Sequence, residues 1–309
     1  MSRATERACK ELEKYLAEHG FENMAEEDME GMVAEFIEHY NKNLPVYGPN
    51  VTDPQTADDF LELAEGAGSK KKALEYAQKA LEIDSDCLDA ERMVAELTAK
   101  NTMELLQKLE EVIAHGNQLM EQGGYFAEDE GVFWGVIETR PYMRVRYQYI
   151  QILKECGMIR KAVSECEDLL RLCENDNMGV RYMLMHLYVM LEMEEPMLQL
   201  HEKYGSYEET QMLFPLSILY FKLGDFEKSA EYLKRLYQVN PDIKQLVKMV
   251  LEGDAPDEID GLESFGYQPD SMGELVVEFE ENYGLFSNLS LYFVWAEKQL
   301  KRKRRSRKS

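Results

Sequence analysis

LFPLSILYFKLGDFEKSAEYLKRLYQVNP, residues Leu213 to Pro241, carries the punctuation of one helix–turn–helix unit. Leu216 and Tyr220 fall on one face of a first helix, and Gly224-Asp225 supplies a turn. Phe226, Ser229, Leu233 and Leu236 follow at helical spacing along a second helix, which Pro241 ends. Such a unit cannot bury its apolar face alone. It must stack on neighbours, so the spacing predicts further units along the chain.

The alternation of small and aromatic positions resembles the tetratricopeptide repeat, a helical hairpin of roughly 34 residues. A turn glycine followed five positions later by a small residue recurs at Gly157/Ala162 and at Gly68/Ala73. The 67 residues from Gly157 to Gly224 leave room for one more unit. That unit places Val180, Met183, Leu184 and Leu187 on its first helix. It has Leu191 where the glycine belongs and Pro196 where the small residue belongs. Proline is tolerated in a first helical turn, so Glu194-Glu195 reads as the entry to a shifted second helix. The expected repeats are 54–87, 88–120, 143–176, 177–210 and 210–243, within a repeat region at 51–252, with an insertion at 121–142. Small residues let paired helices approach, and large ones fill the hollow of the next unit.

The expected fold is all-α: a right-handed tetratricopeptide-like solenoid with helical caps at both ends. Residues 1–50 read as an N-terminal cap of two helices, with Leu12, Tyr15, Leu16, Met32, Val33 and Phe36 at helical spacing. Residues 253–300 read as a Pro/Gly-containing loop and a C-terminal helical cap dense in aromatics, among them Phe279, Tyr283, Phe286, Tyr292, Phe293 and Trp295. Residues 301–309 form a basic tail.

The chain has 309 residues and a net charge of −24. Its last nine residues, KRKRRSRKS, hold seven basic ones, so the remaining body has 28 basic and 59 acidic residues, a net of −31. A body this acidic repels nucleic acid and anionic surfaces at long range. The tail (Lys301, Arg302, Lys303, Arg304, Arg305, Arg307 and Lys308) does the opposite and is the candidate polyanion-binding element. The bland alternative is a solvated tail that folds back on its own acidic surface. No run of 18 uncharged apolar residues predicts a membrane span. The charged first 20 residues do not read as a signal peptide. Five cysteines without a CxxC pair suit a reducing compartment, and the expected location is cytoplasmic.

Two runs depart from the repeat pattern: Gly131-Val-Phe-Trp-Gly-Val-Ile-Glu-Thr-Arg-Pro-Tyr-Met-Arg-Val-Arg146 and Asn175-Asp-Asn-Met-Gly-Val-Arg-Tyr182. They resemble the repeat module of the suppressor-of-tumorigenicity-7 family, which also occurs in uncharacterised bacterial proteins. The resemblance covers roughly residues 125–250 and implies a repeat scaffold of unknown biochemical activity, with no catalytic residues. Eukaryotic members of that family resemble membrane proteins, a topology that this chain's hydropathy does not support.

Positions 2, 5 and 9 of a first repeat helix face the groove of such a superhelix. Counting from Met143 places Arg144, Tyr147 and Gln151 there. Counting the following unit from Asn177 places Arg181 and Met185 there. With Arg140 just upstream, these residues form a candidate cationic groove. A guanidinium there would pair bidentately with a partner's acidic side chain or C-terminal carboxylate. The competing reading is structural: Glu138, Asp176 and the arginines pair internally and pin the insertion. Asn175-Asp176-Asn177 also suits a helix N-cap.

Other chemistry finds little support. The five histidines are scattered, no metal-ligand pair occurs, and no phosphate-loop or nucleophile motif appears. Cys156, Cys166 and Cys173 read as small apolar core residues. No catalytic residue, cofactor or metal is expected. The expected function is a non-enzymatic scaffold that binds a peptide or partner protein in its groove. The alternative is an adaptor that docks on nucleic acid or an anionic surface through the tail. An enzyme near Glu138, Arg140 and Arg144 is the third reading. Self-association through an end cap is compatible with all three.

Overall fold

A computed structural model describes residues 53–253 and 268–301, together with Glu6, Leu12, Tyr15, Leu16, 31–33 and 35–37. Those ten N-terminal positions are all helical. Most of the N-terminal cap, the loop at 254–267 and Arg302, Lys303, Arg304, Arg305, Arg307 and Lys308 lie outside the described residues. Among the described residues there is no strand, only an isolated bridge between Val132 and Cys173. The fold is all-α, of the tetratricopeptide solenoid class. The chain divides into two compact units, residues 1–152 with 171–175 and residues 153–170 with 176–309.

The first unit begins with α1 (Ala57–Glu65), α2 (Lys70–Ile83), α3 (Leu88–Thr98) and α4 (Thr102–Gln122), each packed on the next. A capping box starts α1: Asp59 N–H donates to Thr56 Oγ1 at 3.2 Å, and Thr56 N–H donates to Asp59 Oδ2 at 3.0 Å. Leu61, Ala80 and Ala90 form the close contact among α1, α2 and α3. The sequence phase is shifted here. Ala73 is only half-buried, whereas Ala77 and Ala80 are fully buried. The reason is the turn: Gly68 lies outside the left-handed region, and Ser69 caps α2, so the helix presents its later alanines to α1.

After α4 come a one-turn helix, α5 (Tyr125–Glu128), and two 3₁₀ turns, Phe133–Gly135 and Ile137–Thr139. These lead into α6 (Arg140–Glu155). The segment is held by its aromatics. Phe133 is fully buried and stacks on Phe126 at 5.6 Å, and Tyr142 meets both rings edge-on. Tyr142 also donates to Asn117 Oδ1 on α4 at 2.6 Å. Gly116 makes that approach possible: a β-carbon there would lie 2.6 Å from the Tyr142 ring.

The second unit contains most of α7 (Ile159–Leu172), then α8 (Val180–Leu191), α9 (Glu194–Lys203), α10 (Thr210–Lys222) and α11 (Phe226–Val239). It ends with α12 (Ile243–Glu252), α13 (Met272–Glu281), the single turn α14 (Tyr283–Phe286) and α15 (Ser290–Lys301). α8 packs on α9 and α10, and α10 pairs closely with α11. In that hairpin Gly224 takes the left-handed conformation (φ 80°) that the turn requires. Leu216 and Tyr220 are buried as the spacing predicts. Phe226 is not: it is 52 % exposed and lies beside Phe221 and Trp295. It occupies the first position of α11, where the helix has not yet turned its apolar face inward.

The unit between Gly157 and Gly224 turns one residue later than its sequence suggests. Glu192, not Leu191, takes the left-handed conformation (φ 58°), in line with Gly157 (φ 71°) and Gly224 (φ 80°). Leu191 is the last residue of α8, and helical geometry keeps it on the right-handed side of the turn.

Candidate functional site

The residues predicted to line a groove fall in both units. In the first, Arg140 is buried. Its Nε donates to the Trp134 carbonyl at 2.8 Å, and its Nη1 lies 3.7 Å from Glu6 Oε1. Arg144 makes a two-point pair with Asp89: Nε donates to Oδ1 at 3.1 Å and Nη2 to Oδ2. Its Nη1 donates to Glu6 Oε1 at 2.6 Å. Both carboxylate side chains are almost fully buried, and together they hold the Arg144 guanidinium above its usual pKa against the opposing effect of burial. Arg144 is therefore engaged with partners 55 and 138 residues away in sequence, and Arg140 with Trp134 and Glu6. Of the neighbours that the sequence suggested, Glu138 lies exposed on the wall of the adjacent cleft.

That cleft, of about 790 Å³, is bounded by α1, the α2–α3 turn, α4 and the start of α6. Eight of its described lining residues are Asp or Glu, and one, Arg144, is basic. An anionic ligand entering it would meet like charge from α1, from the α2–α3 turn and from Glu138. Tyr147 is half-buried and Gln151 is exposed.

In the second unit Arg181 pairs with Asp176. Nη1 lies 3.1 Å from Oδ2, and the guanidinium stacks over the Tyr182 ring at 4.2 Å. Asp176 also accepts from the backbone N–H groups of Val180 (2.7 Å) and Arg181 (3.0 Å), so its carboxylate caps α8. Burial raises the Asp176 pKa, and these hydrogen bonds act against that rise.

Counted back from the left-handed turn residue Glu192, repeat positions 5 and 9 fall on Tyr182 and His186, one residue beyond Arg181 and Met185. Met185 is fully buried. In the next unit, counted from Gly224, positions 2 and 5 are Gln211 and Phe214. α13 and α14 cover three of these four residues. His186 Nε2 lies 3.0 Å from Glu278 Oε1, and Gln211 Nε2 donates to Glu274 Oε1 at 3.2 Å. Phe214 stacks on Phe286 at 5.2 Å. The start of α13 is fixed by Asn240, which donates to Thr210 Oγ1 and to the Ser271 carbonyl, while Thr210 donates to Asp270. Sequence reasoning missed the His186–Glu278 contact because 92 residues separate the two and no motif links them. Helical spacing places Glu274 and Glu278 on one α13 face, but nothing in it marks that face as the buried one.

Among the described residues no group of His, Cys, Asp and Glu could hold a metal ion. Among them, too, no helix is long and apolar enough to cross a membrane. Lys301 is exposed and pairs with Glu297 at the end of α15.

No curated protein matches the chain. Residues 210–243 match the tetratricopeptide repeat family, which spans α10 and α11 and reaches the start of α12. The protein thus contains a tetratricopeptide repeat, a protein–protein interaction module in a fold that is typically non-enzymatic.

Proposed function

We propose that this protein is a non-enzymatic scaffold that binds a partner protein along the groove face of its repeat helices. One observation carries the reading. The repeat positions Gln211, Phe214 and His186 of the second unit are already covered by α13 and α14 of the same chain. A surface that seats α13 through an amide and an imidazole, and α14 through a stacked aromatic, has the chemistry that seats a partner's amphipathic helix. The partner is a protein, not a carboxylate-terminated peptide clamped by arginine, because Arg140, Arg144 and Arg181 already have internal partners. The resemblance to the suppressor-of-tumorigenicity-7 repeat module supports the same scaffold role and adds no chemistry.

The test is site-specific photocrosslinking in a cell extract at physiological salt. One crosslinker replaces Gln151, an exposed groove position. A control replaces Glu227, exposed on α11. A third form carries the Gln151 crosslinker and ends at Leu300. A protein captured from Gln151 but not from Glu227, with or without the tail, supports groove binding. Equal capture at both sites overturns it. Capture that disappears with the tail and falls with added salt transfers the function to polyanion docking.

A further inference from the structure

His186 and Glu278 are 2 % and 3 % exposed, and their side chains meet at 3.0 Å. His186 Nδ1 lies 2.8 Å from the Tyr182 carbonyl, which can only accept, so Nδ1 carries a hydrogen. The contact between Nε2 and Oε1 therefore contains a single proton. With it, one group donates and the other accepts. Without it, an imidazole lone pair faces a carboxylate in a dry site. The second carboxylate oxygen, Oε2, is buried and has no hydrogen-bond partner. A full charge on Glu278 would leave that oxygen uncompensated.

Among the described residues, the charged or titratable groups acting on the carboxylate besides His186 are both acidic. From α13 itself come Glu274 and Glu281, both of the same sign. From α15 comes the neutral Tyr292 hydroxyl, which is bonded to Ser217 of α10. α10 contributes Gln211, which is bonded to Glu274, and α14 contributes the Phe286 ring beside His186. Lys154 reaches only the end of the helix, at the Glu281 carbonyl and Asn282 Oδ1. At the other end Asp270, a non-glycine residue, is held at φ 57°, a conformation that costs free energy and that docking must sustain.

We propose that α13–α14 is a pH-responsive latch on the groove face of α8 and α10, held closed by the proton shared between His186 and Glu278 and released when that proton is lost. Release uncovers Phe214, Gln211 and His186, a face suited to a partner helix that brings an aromatic ring to Phe214 and a hydrogen-bond donor to the imidazole. Burial, the main cause, pushes the Glu278 carboxyl up from 4.5 to about 7, partly opposed by His186. A carboxyl with a raised folded-state pKa holds its contribution at low pH and loses it as pH climbs through the raised value. The latch is therefore tightest at low pH and loosens as pH rises through about 7. The consequence for partner access rests on the groove reading given above. The opening itself does not, because it is measured on the protein alone.

The experiment is hydrogen–deuterium exchange at pH 5.5, 7.0 and 8.5, corrected for intrinsic exchange. It follows the amides of α13–α14, with those of α2 as an internal reference. Protection in α13–α14 is expected to fall by more than about twofold between pH 5.5 and 8.5, while α2 holds steady. Glu278→Gln, whose amide has no titrating proton and can either donate to or accept from Nε2, is expected to stay protected throughout. If that variant does not fold, Glu278→Leu takes its place and is likewise expected to show no pH dependence. A wild-type change of less than twofold overturns the latch. So does a fall shared equally by α2, or a substituted protein that loses protection as the wild type does.

Discussion

Ser217 and Ser229 each donate a hydroxyl hydrogen bond to the other's backbone carbonyl, at 3.0 and 2.7 Å, across the α10–α11 hairpin. Both are fully buried. Two helices approach this closely only where neither side chain extends beyond its oxygen. Ser229→Ala removes one of the two bonds and is expected to cost about 1 kcal/mol. Ser229→Leu wedges the helices apart and is expected to cost about 2–3 kcal/mol. Denaturant unfolding of the two variants tests this. Equal stability of the Ser229→Leu and Ser229→Ala proteins would mean that the hairpin is not closely packed there.

Gly116 serves the same purpose in the first unit. Its missing side chain admits the Tyr142 ring, which carries the insertion onto α4. Gly116→Ala is expected to destabilise by about 1–3 kcal/mol, although alanine is the better helix former. A Gly116→Ala/Tyr142→Leu pair should recover part of that loss. Thermal unfolding of the three proteins reads the coupling directly.

Arg144 holds together segments that are far apart in sequence. Arg144→Ala leaves the Glu6 and Asp89 carboxylates buried without their principal cation, and the expected cost is about 3 kcal/mol. Arg144→Glu should be worse still. Helicity and melting temperature are the measurements. A binding assay that relied on Arg144→Glu would report unfolding rather than recognition, which is why Gln151 is the better probe of the groove.

Thiol reactivity separates the described cysteines. Cys156 is exposed, whereas Cys166 and Cys173 are buried. Burial pushes the Cys166 thiol well above its usual pKa and that of Cys87 up to about 11. Maleimide labelling at neutral pH, read by mass spectrometry, is expected to modify Cys156 in the native protein. Cys166 and Cys173 should react only once denaturant is added. Early labelling of Cys166 would contradict the packing of the second unit.

The sequence by itself determined the class of fold. Turn glycines, small residues at close-packing positions and apolar residues at helical spacing are local signals, and they carry the all-α reading and the repeat at 210–243. They were also enough to mark Arg140, Arg144 and Arg181 as unusual, but not to say what those residues touch. Charge in a sequence carries no partner, and Glu6, Asp89 and Asp176 become partners only when the chain folds. Phase was the other gap. A turn one residue later at Glu192 rotates α8 by about 100° relative to the expected register. That rotation moves repeat positions 5 and 9 from Arg181 and Met185 to Tyr182 and His186. Only tertiary structure could decide that α13 lies over that face, because a contact spanning 92 residues depends on packing geometry that no local spacing encodes.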